Sequence, residues 1–220
     1  MPYHFDYISK KNPIIRKAYE DIWDIILQVQ DDLRDEITFQ FKSVGSYSRN
    51  MITWDKESNV GYVFDFNLDI WKGYDDFTPR EIREKFINAF SKRAKPYGYS
   101  PAENSTRVLT LNVIDKKNSR ILHGCDFAIV NNYVDEEGYD CQEYIHYDKE
   151  HDRFYWREQT NGYFFLQDKL DWLNDNGHKG ELRALYLERK RGNLNPNLHS
   201  RDLLEQVAHQ LCQKYGYYDE

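Results

Sequence analysis

The most constraining part of the sequence is the stretch 41–70, FKSVGSYSRNMITWDKESNVGYVFDFNLDI. An apolar run typical of a strand stops at Gly45-Ser46, and a second such run follows after a polar segment. Because side chains alternate along a strand, one face of the second run carries Asp65, Asn67 and Asp69. Acidic and amide groups beside a Gly-Ser turn indicate a place that holds a metal ion and a phosphate.

A further carboxylate, Asp126, lies inside the apolar run ILHGCDFAIV. A carboxylate buried in such a run is costly unless it is paired or binds a metal ion. Pairing with Arg107 or Arg120 is one explanation, and metal binding is the other. For the acids of the earlier run, the simpler explanation is the solvated face of an edge strand.

Composition limits the class of protein to which the chain can belong. Its 220 residues fit one large domain or two small ones, and its 18 Tyr, 12 Phe and 5 Trp predict an aromatic core. The net charge of −7 argues against a surface that attracts nucleic acid as a whole, although a local basic patch is compatible with it. The composition therefore gives no strong signal for a nucleic-acid partner.

The cysteines and the lack of long apolar segments indicate the compartment. Cys125, Cys141 and Cys212 have no CxxC spacing, so neither a disulfide framework nor a zinc site is expected. The N-terminal segment has no apolar core of the kind found in signal peptides, and no run approaches membrane-spanning length. These features predict a reducing, cytoplasmic compartment and no membrane partner.

Local signals predict most of the helices and strands. Asn12, followed by proline, is a helix start, and apolar spacings of three and four continue for about 20 residues. The string TPRE, which starts at Thr78, matches a capping box and predicts a second helix that ends near Lys95. The other expectations are strands over 39–44 and 62–70, a polar loop over 50–61, a hairpin of 106–114 with 120–130, two short strands or an irregular region over 131–161, and helices from 163 onward.

The order of these elements predicts an α+β fold with helices beside a mixed or antiparallel sheet. We expect a domain boundary near residue 160. It would separate an α+β core over 1–160 from a C-terminal helical lobe over 161–220.

These residues resemble the DNA polymerase β-type nucleotidyltransferase superfamily. Its pattern is a helix and a strand ending in Gly-Ser, an acidic-x-acidic motif on the next strand, and a third acid further on. The strings GSYSRN, RVLTLNV and CDFAIV are more similar to the branch with bacterial cyclic-dinucleotide synthases and oligoadenylate synthases. The resemblance covers about residues 12–130 and implies a nucleotidyltransferase-like mixed sheet flanked by helices. The C-terminal helices are compatible with the helical second lobe of that branch.

The resemblance also implies roles for single residues. Gly45 and Ser46 would hold phosphate, with added charge from Arg49. Asp65 and Asp126 would hold Mg²⁺, and Asp126 would accept the proton of the acceptor hydroxyl. The weaker third metal ligand would be Asn67 or Asp69. A bacterial or phage-type setting is implied as well.

The acid pair of the superfamily is incomplete in this chain. Asp65 and Asp69 are four residues apart, about 13 Å along a strand, so they cannot both bind one ion at about 2.1 Å. The pair is then Asp65 with Asn67, or Asn67 with Asp69, or Asp65 with an acid lost at Val63. Asp65 is favoured as the retained ligand. An asparagine supplies a neutral oxygen only, so metal affinity is expected to fall.

Two functions follow from the resemblance. The first is a Mg²⁺-dependent nucleotidyltransferase that transfers NMP from an NTP, with ATP as the expected donor, to an unidentified acceptor. The second is a non-catalytic nucleotide-binding or regulatory interaction module on the same fold, which the incomplete acid pair favours. A structural interaction protein unrelated to nucleotides is a third interpretation. The pattern predicts no particular oligomeric state.

Overall fold

The computed structural model describes residues 3–58, 61–160, 162–195 and 198–217. The chain folds into two compact units. The sheet unit comprises residues 8–52 and 59–159, and the helical unit comprises residues 1–7, 53–58 and 160–220. Across the described ranges, no helix combines the length and the apolar composition needed to cross a bilayer.

The elements follow one another as helices and strands of very different lengths. In chain order they are β1 (Asp6–Tyr7), α1 (Pro13–Leu33), β2 (Thr38–Val44), α2 (Gly45–Ser48), β3 (Thr53–Trp54), β4 (Tyr62–Lys72), α3 (Pro79–Ala94), β5 (Glu103–Asn104), β6 (Leu109–Asp115), β7 (Arg120–Val134), β8 (Asp140–Asp148), β9 (Arg153–Glu158), α4 (Gly162–Asp175), α5 (Lys179–Gly192) and α6 (Ser200–Tyr215).

The first helix begins and packs as the sequence predicts. The side chain of Asn12 accepts a hydrogen bond from the Ile14 amide, which satisfies one of the free donors of the first turn. Trp23 lies at the margin of the apolar stripe, with 41% of its surface exposed and its ring against Phe41. The buried stripe consists of Ile15, Ala18, Ile22, Ile25, Ile26, Val29 and Leu33.

The second long helix also begins where its capping box predicts. The Thr78 hydroxyl accepts from the Glu81 amide, and the Glu81 carboxylate accepts from the Thr78 amide. Phe90 of this helix stacks on Phe127 of β7 at 4.1 Å between ring centres. α3 therefore packs its apolar side on the sheet.

The sheet unit contains a seven-stranded mixed sheet in the order β2-β4-β7-β6-β5, with β8 paired to β7 and β9 to β8. β4 and β7 run parallel, and the other pairs are antiparallel. Together with the flanking helices and the C-terminal helices, this arrangement confirms the predicted α+β class.

The two faces of this sheet differ in chemistry. One face is aromatic and carries α1 and α3, with Tyr19 against Phe64 and Phe90 against Phe127. The opposite face, here called the polar face, carries the alternate positions of the same strands: Asp65, Asn67, Asp69 and Asp126.

One charged residue is buried on the aromatic side. Arg83 of α3 is fully buried, and no carboxylate among the described residues pairs with it. It donates instead to the carbonyls of Ser105 and Val108 at 2.6 Å and to the side chain of Asn104 at 2.9 Å. Arg83 therefore fixes the segment that leads into β6.

Three local predictions needed correction or completion. The Gly-Ser turn is the start of a single helical turn, α2. The polar segment 50–61 contains the short strand β3, and its residues 59 and 60 lie outside the described residues. The uncertain region 131–161 holds the end of β7 and the hairpin β8–β9.

The helical unit contains α4, α5 and α6, in agreement with the predicted helical C-terminal region. The short strands β1 and β3 pair within the same unit. The hydroxyl of Tyr7 donates to the Arg183 carbonyl at 2.8 Å, and Arg191 donates to the Phe5 carbonyl at 2.7 Å. These bonds tie the N-terminal segment to α5.

Candidate functional site

The two predicted carboxylates lie directly opposite each other on neighbouring strands. Asp65 of β4 and Asp126 of β7 are register partners in the parallel pair. Adjacent strands are about 4.8 Å apart, and register partners point to the same face. The structure therefore brings together two acids that are far apart in sequence, on the polar face.

Asp126 is held by a hydroxyl and not by an arginine. The Thr110 hydroxyl of β6 donates to Asp126 Oδ1 at 2.6 Å. Arg120 pairs with Asp115 at 3.3 Å, and the guanidinium of Arg107 lies over a tyrosine ring. The arginine pairing considered for Asp126 is therefore not what the structure contains.

Burial sets the acidity of this region. It raises the pKa of the Asp126 carboxyl above its usual range, an effect that the Thr110 hydrogen bond partly opposes. The neighbouring Cys125 thiol is fully buried, and its pKa is raised by burial and by the charges of Asp126 and Asp65. Cys125 thus stays a protonated apolar side chain beneath the two acids.

Gly45 brings the Gly-Ser turn against Asp65. Val44, the last residue of β2, is the register partner of Asp65. Gly45 has a φ of 66°, and a Cβ at this position would lie 2.0 Å from Asp65 Oδ2. Both the backbone conformation and the close approach therefore require glycine.

Ser46 and Arg49 frame the same turn. The Ser48 hydroxyl, not that of Ser46, closes the turn by donating to the Gly45 carbonyl at 2.9 Å. Arg49 ends α2, and its buried Nε finds no hydrogen-bond acceptor among the described residues. A buried donor without an acceptor is costly, so an acceptor supplied from outside the chain would be stabilising.

The other two predicted ligands have different surroundings. Asn67 lies between Lys42 of β2 and Ala128 of β7 on the polar face. Asp69 accepts from the Asn132 amide at 3.1 Å and from the Trp71 indole at 3.3 Å. Asp69 is thus engaged near the far end of β4, about 13 Å along the strand from Asp65.

Comparison with solved structures identifies the fold. The GTP-bound form of Vibrio cholerae DncV matches with a TM-score of 0.57 at 13% identity, over 93% of this chain and 53% of that one. The c-di-GMP synthase CdnE of Capnocytophaga granulosa gives 0.56 at 14% identity, over 97% and 64%. The cyclic dinucleotide synthase CdnE of Elizabethkingia meningoseptica, solved with GTP and Apcpp, gives 0.51 at 14% identity, over 86% and 67%.

This is the fold of the cyclic-dinucleotide synthases. The predicted resemblance to the polymerase β-type nucleotidyltransferase branch is confirmed at the level of the fold. No protein-family model and no curated protein matches the sequence. The chain spans 53% of the length of DncV and 64% of that of the Capnocytophaga enzyme.

Few side chains at the two acids could bind a metal ion. Among the described residues, no group of three or more His, Cys, Asp or Glu side chains is placed to hold a metal ion. Mg²⁺, however, is commonly bound through one or two carboxylates together with substrate phosphates. Asp65 and Asp126 fit that requirement, and the amide oxygen of Asn67 is the nearest additional candidate on the face.

Two residues on the polar face were missed from the sequence. Thr110 belongs to the alternating run VLTLNV, so its face could be predicted but its partner Asp126 could not. Lys42, inside an apolar strand, faces Asn67 because the two are register partners. A polar residue inside an apolar run was the available signal in both cases.

Proposed function

We propose that the chain is a nucleotidyltransferase that uses Mg²⁺ to transfer NMP from an NTP, with ATP as the first donor to test. The acceptor carries a hydroxyl group. The pairing of Asp65 with Asp126 beside the Gly45 turn is the observation that carries this proposal. Solved neighbours bound to GTP or to an ATP analogue share the fold and support the choice of substrate class.

The turn after β2 is the proposed phosphate site. The first amides of a helical turn have no intrahelical acceptor, so those of Gly45 and Ser46 are suited to phosphate oxygens. The unpaired Nε of Arg49 would gain an acceptor from the same phosphates. These groups would orient the NTP next to the carboxylates.

The carboxylates have separate proposed roles. Mg²⁺, when bound, would offset the negative charge that develops on the phosphates. Asp65 and Asp126 would hold it, with Asn67 as a weaker ligand, because Asp69 lies about 13 Å along the strand from Asp65. Because burial raises the pKa of Asp126, this carboxylate accepts a proton more readily than an exposed one, and we assign it the proton of the acceptor hydroxyl.

The second candidate function is nucleotide binding without turnover. Asn67 favours it, since an amide stands where the superfamily pattern has an acid. Such a module would bind an NTP through the turn and through one carboxylate pair but would release no pyrophosphate. The two candidates therefore differ in one measurable product.

The test combines calorimetry with a pyrophosphate-release assay on ATP and GTP with Mg²⁺. Binding with release of pyrophosphate supports the transferase, and binding without release supports the module. Asp126→Asn is expected to reduce turnover at least about 100-fold, because it removes both a charge and the proton acceptor.

The matched control is Asp76→Asn, an exposed carboxylate in the loop before α3. It removes the same charge away from the polar face and should retain full activity. Equal turnover in Asp126→Asn and in the unmodified chain would remove Asp126 from the mechanism. No thermal stabilisation by either nucleotide with Mg²⁺ would contradict both candidate functions and favour an interaction protein.

A further inference from the structure

The last strand of the sheet carries a strip of two cations and one ring. Arg153, Tyr155 and Arg157 occupy alternate positions of β9, so their side chains share one face. All three are exposed, and 41% of the surface of Tyr155 is accessible. We call these three residues the arginine–tyrosine strip.

The strip lies on the same face as the paired acids. Arg157 is the register partner of Tyr144 on β8, and Tyr144 is that of Val130 on β7. Val130 and Asp126 are four residues apart on one strand and therefore point to the same side. The strip thus continues the polar face, beginning about 13 Å along β7 from Asp126 and extending across two further strands.

The two arginines of the strip have no acidic partner in the part of the chain that the structure describes. Some other arginines of the sheet unit form ion pairs, as Arg80 does with Asp152 at 2.9 Å. For Arg153 and Arg157, no carboxylate pairs with either within the described ranges. Asp148, opposite Arg153, accepts instead from the His151 ring at 2.8 Å and from the neighbouring amides.

The surroundings of the ring are also cationic and aromatic. The His146 ring lies 5.0 Å from that of Tyr155, and its buried Nδ1 has no partner among the described residues. Arg107 covers the Tyr144 ring at 4.3 Å. Burial and the charge of Arg157 lower the pKa of His146, so a neutral imidazole faces the strip at neutral pH.

We propose that the arginine–tyrosine strip binds single-stranded nucleic acid, with a base stacked on Tyr155 and phosphates on Arg153 and Arg157. Proteins commonly hold single strands without sequence preference by combining positive charge along the backbone with aromatic side chains on which bases stack. The two arginines are four residues apart, about 13 Å, which favours a strand of several nucleotides over one mononucleotide. On a chain of net charge −7, this is a local basic exception.

A competing explanation comes from the position of β9 at the sheet edge. β9 pairs only with β8 among the described strands, and edge strands carry charged side chains that prevent pairing with other chains. That explanation requires the arginines but not the exposed tyrosine. It also predicts self-association, not loss of a ligand, when the arginines are removed.

The experiment measures fluorescence anisotropy of a labelled single-stranded RNA of about eight nucleotides, within the range of known single-strand sites. The full chain is titrated at several salt concentrations. Arg153→Gln with Arg157→Gln should weaken binding and reduce the slope of log K against log salt by about 1.4, or about 0.7 per arginine. Tyr155→Ala should weaken binding roughly 10-fold, whereas Tyr155→Phe should retain it.

Charge-matched controls make the result specific. Arg16→Gln with Arg34→Gln changes the net charge equally at two exposed positions, one in α1 and one directly after its end, and should leave RNA binding unchanged. The proposal is overturned if the unmodified chain does not bind the RNA at low salt, or if the control pair loses binding equally. It is also overturned if Tyr155→Ala binds normally, or if loss of Arg153 and Arg157 causes self-association in sedimentation with RNA binding intact. Because the readout is binding, it is independent of nucleotidyl transfer.

Discussion

At the scale of single residues, Gly45 couples the backbone turn to the first carboxylate. Its positive φ and the approach of Asp65 Oδ2 both depend on the missing Cβ. A larger residue must therefore move either the turn or the carboxylate. Replacing Gly45 therefore tests whether nucleotide binding depends on the position of Asp65.

We expect Gly45→Ala to lower nucleotide affinity at least about 10-fold and to cost about 1 kcal/mol of folding stability from its left-handed backbone. Calorimetry and urea unfolding measure the two effects. Gly98→Ala is the matched control, because Gly98 also has a positive φ, of 84°, but no atom within 4 Å of its added Cβ. Undiminished nucleotide binding in Gly45→Ala would show that the turn and Asp65 do not act together.

The incomplete acid pair gives a second prediction at this scale. Asn67 and Val63 are the two positions adjacent to Asp65 on the polar face. Asn67→Asp should raise Mg²⁺ affinity severalfold and increase pyrophosphate release, because a third carboxylate adds charge to the site. Val63→Asp tests the alternative that the acid was lost on the other side. If only one variant gains Mg²⁺ affinity and pyrophosphate release, its position is the second member of the acid pair. If neither variant gains them, a site built on Asp65 and Asp126 alone is favoured.

At the scale of elements, Arg83 ties α3 to the segment before β6. Its guanidinium satisfies the carbonyls of Ser105 and Val108, and burial lowers its pKa to about 10. That pKa still leaves the group charged at neutral pH. We call Arg83 and these hydrogen bonds the Arg83 clamp. The strand that follows the segment carries Thr110, so the clamp also supports the partner of Asp126.

We expect Arg83→Met to destabilise the fold by about 3 kcal/mol or more, because several carbonyls, one of them in a fully buried bond, lose their donor. Arg83→Lys should recover only part of this loss, since an ammonium cannot reproduce the planar fork. Urea unfolding measures both. Arg80→Met, on the exposed side of the same helix, should cost less than about 1 kcal/mol. A comparable cost in Arg80→Met would contradict the assignment of the clamp.

How far the sequence predicted each element depends on how local its signals are. Asn12 and Thr78 fix helix starts through bonds to residues two or three positions away, and both starts are confirmed. For the hairpin β8–β9 the sequence does not distinguish two short strands from an irregular region, because aromatic and polar residues alternate along it. Contacts between distant segments could not be predicted: the hydroxyl of Thr110 on Asp126, and the burial of Arg83.

The sequence predicted the residue types of the candidate site but not which of these residues lie opposite each other. Glycine, serine and alternating acids indicated phosphate and metal chemistry before any geometry was known. Asp126 lies opposite Asp65, and Lys42 opposite Asn67, because β4 has β2 and β7 as its neighbours in the sheet. Strand order depends on packing across the whole sheet, and no local pattern encodes it.

At the scale of the whole molecule, stability should depend on pH through a partly buried histidine, His123. Burial lowers the pKa of His123 to about 4, from 6.5, and its Nε2 lies 2.9 Å from the Tyr99 hydroxyl. Below pH 6.5 the unfolded chain binds a proton that the folded chain excludes. The contribution of His123 to the free energy of unfolding is therefore fully present above pH 6.5 and is lost as pH falls toward 4.

We expect this histidine to remove about 2 kcal/mol of stability between pH 6.5 and pH 5. Urea unfolding at a series of pH values measures the effect. The double variant Tyr99→Phe with His123→Phe removes the titrating ring together with its partner, and its stability should change less over the same range. An identical pH dependence in both proteins would assign the loss to other groups.

The parallel pairing of β4 with β7 determines when during synthesis the two carboxylates can meet. A helix, a short strand and all of β6 are made between them, so their pairing closes a long loop, which is slow to form. A nascent chain that stops before β7 has the Gly-Ser turn and Asp65 but no opposing carboxylate. Whatever chemistry the pair performs is therefore withheld until this late strand is in place.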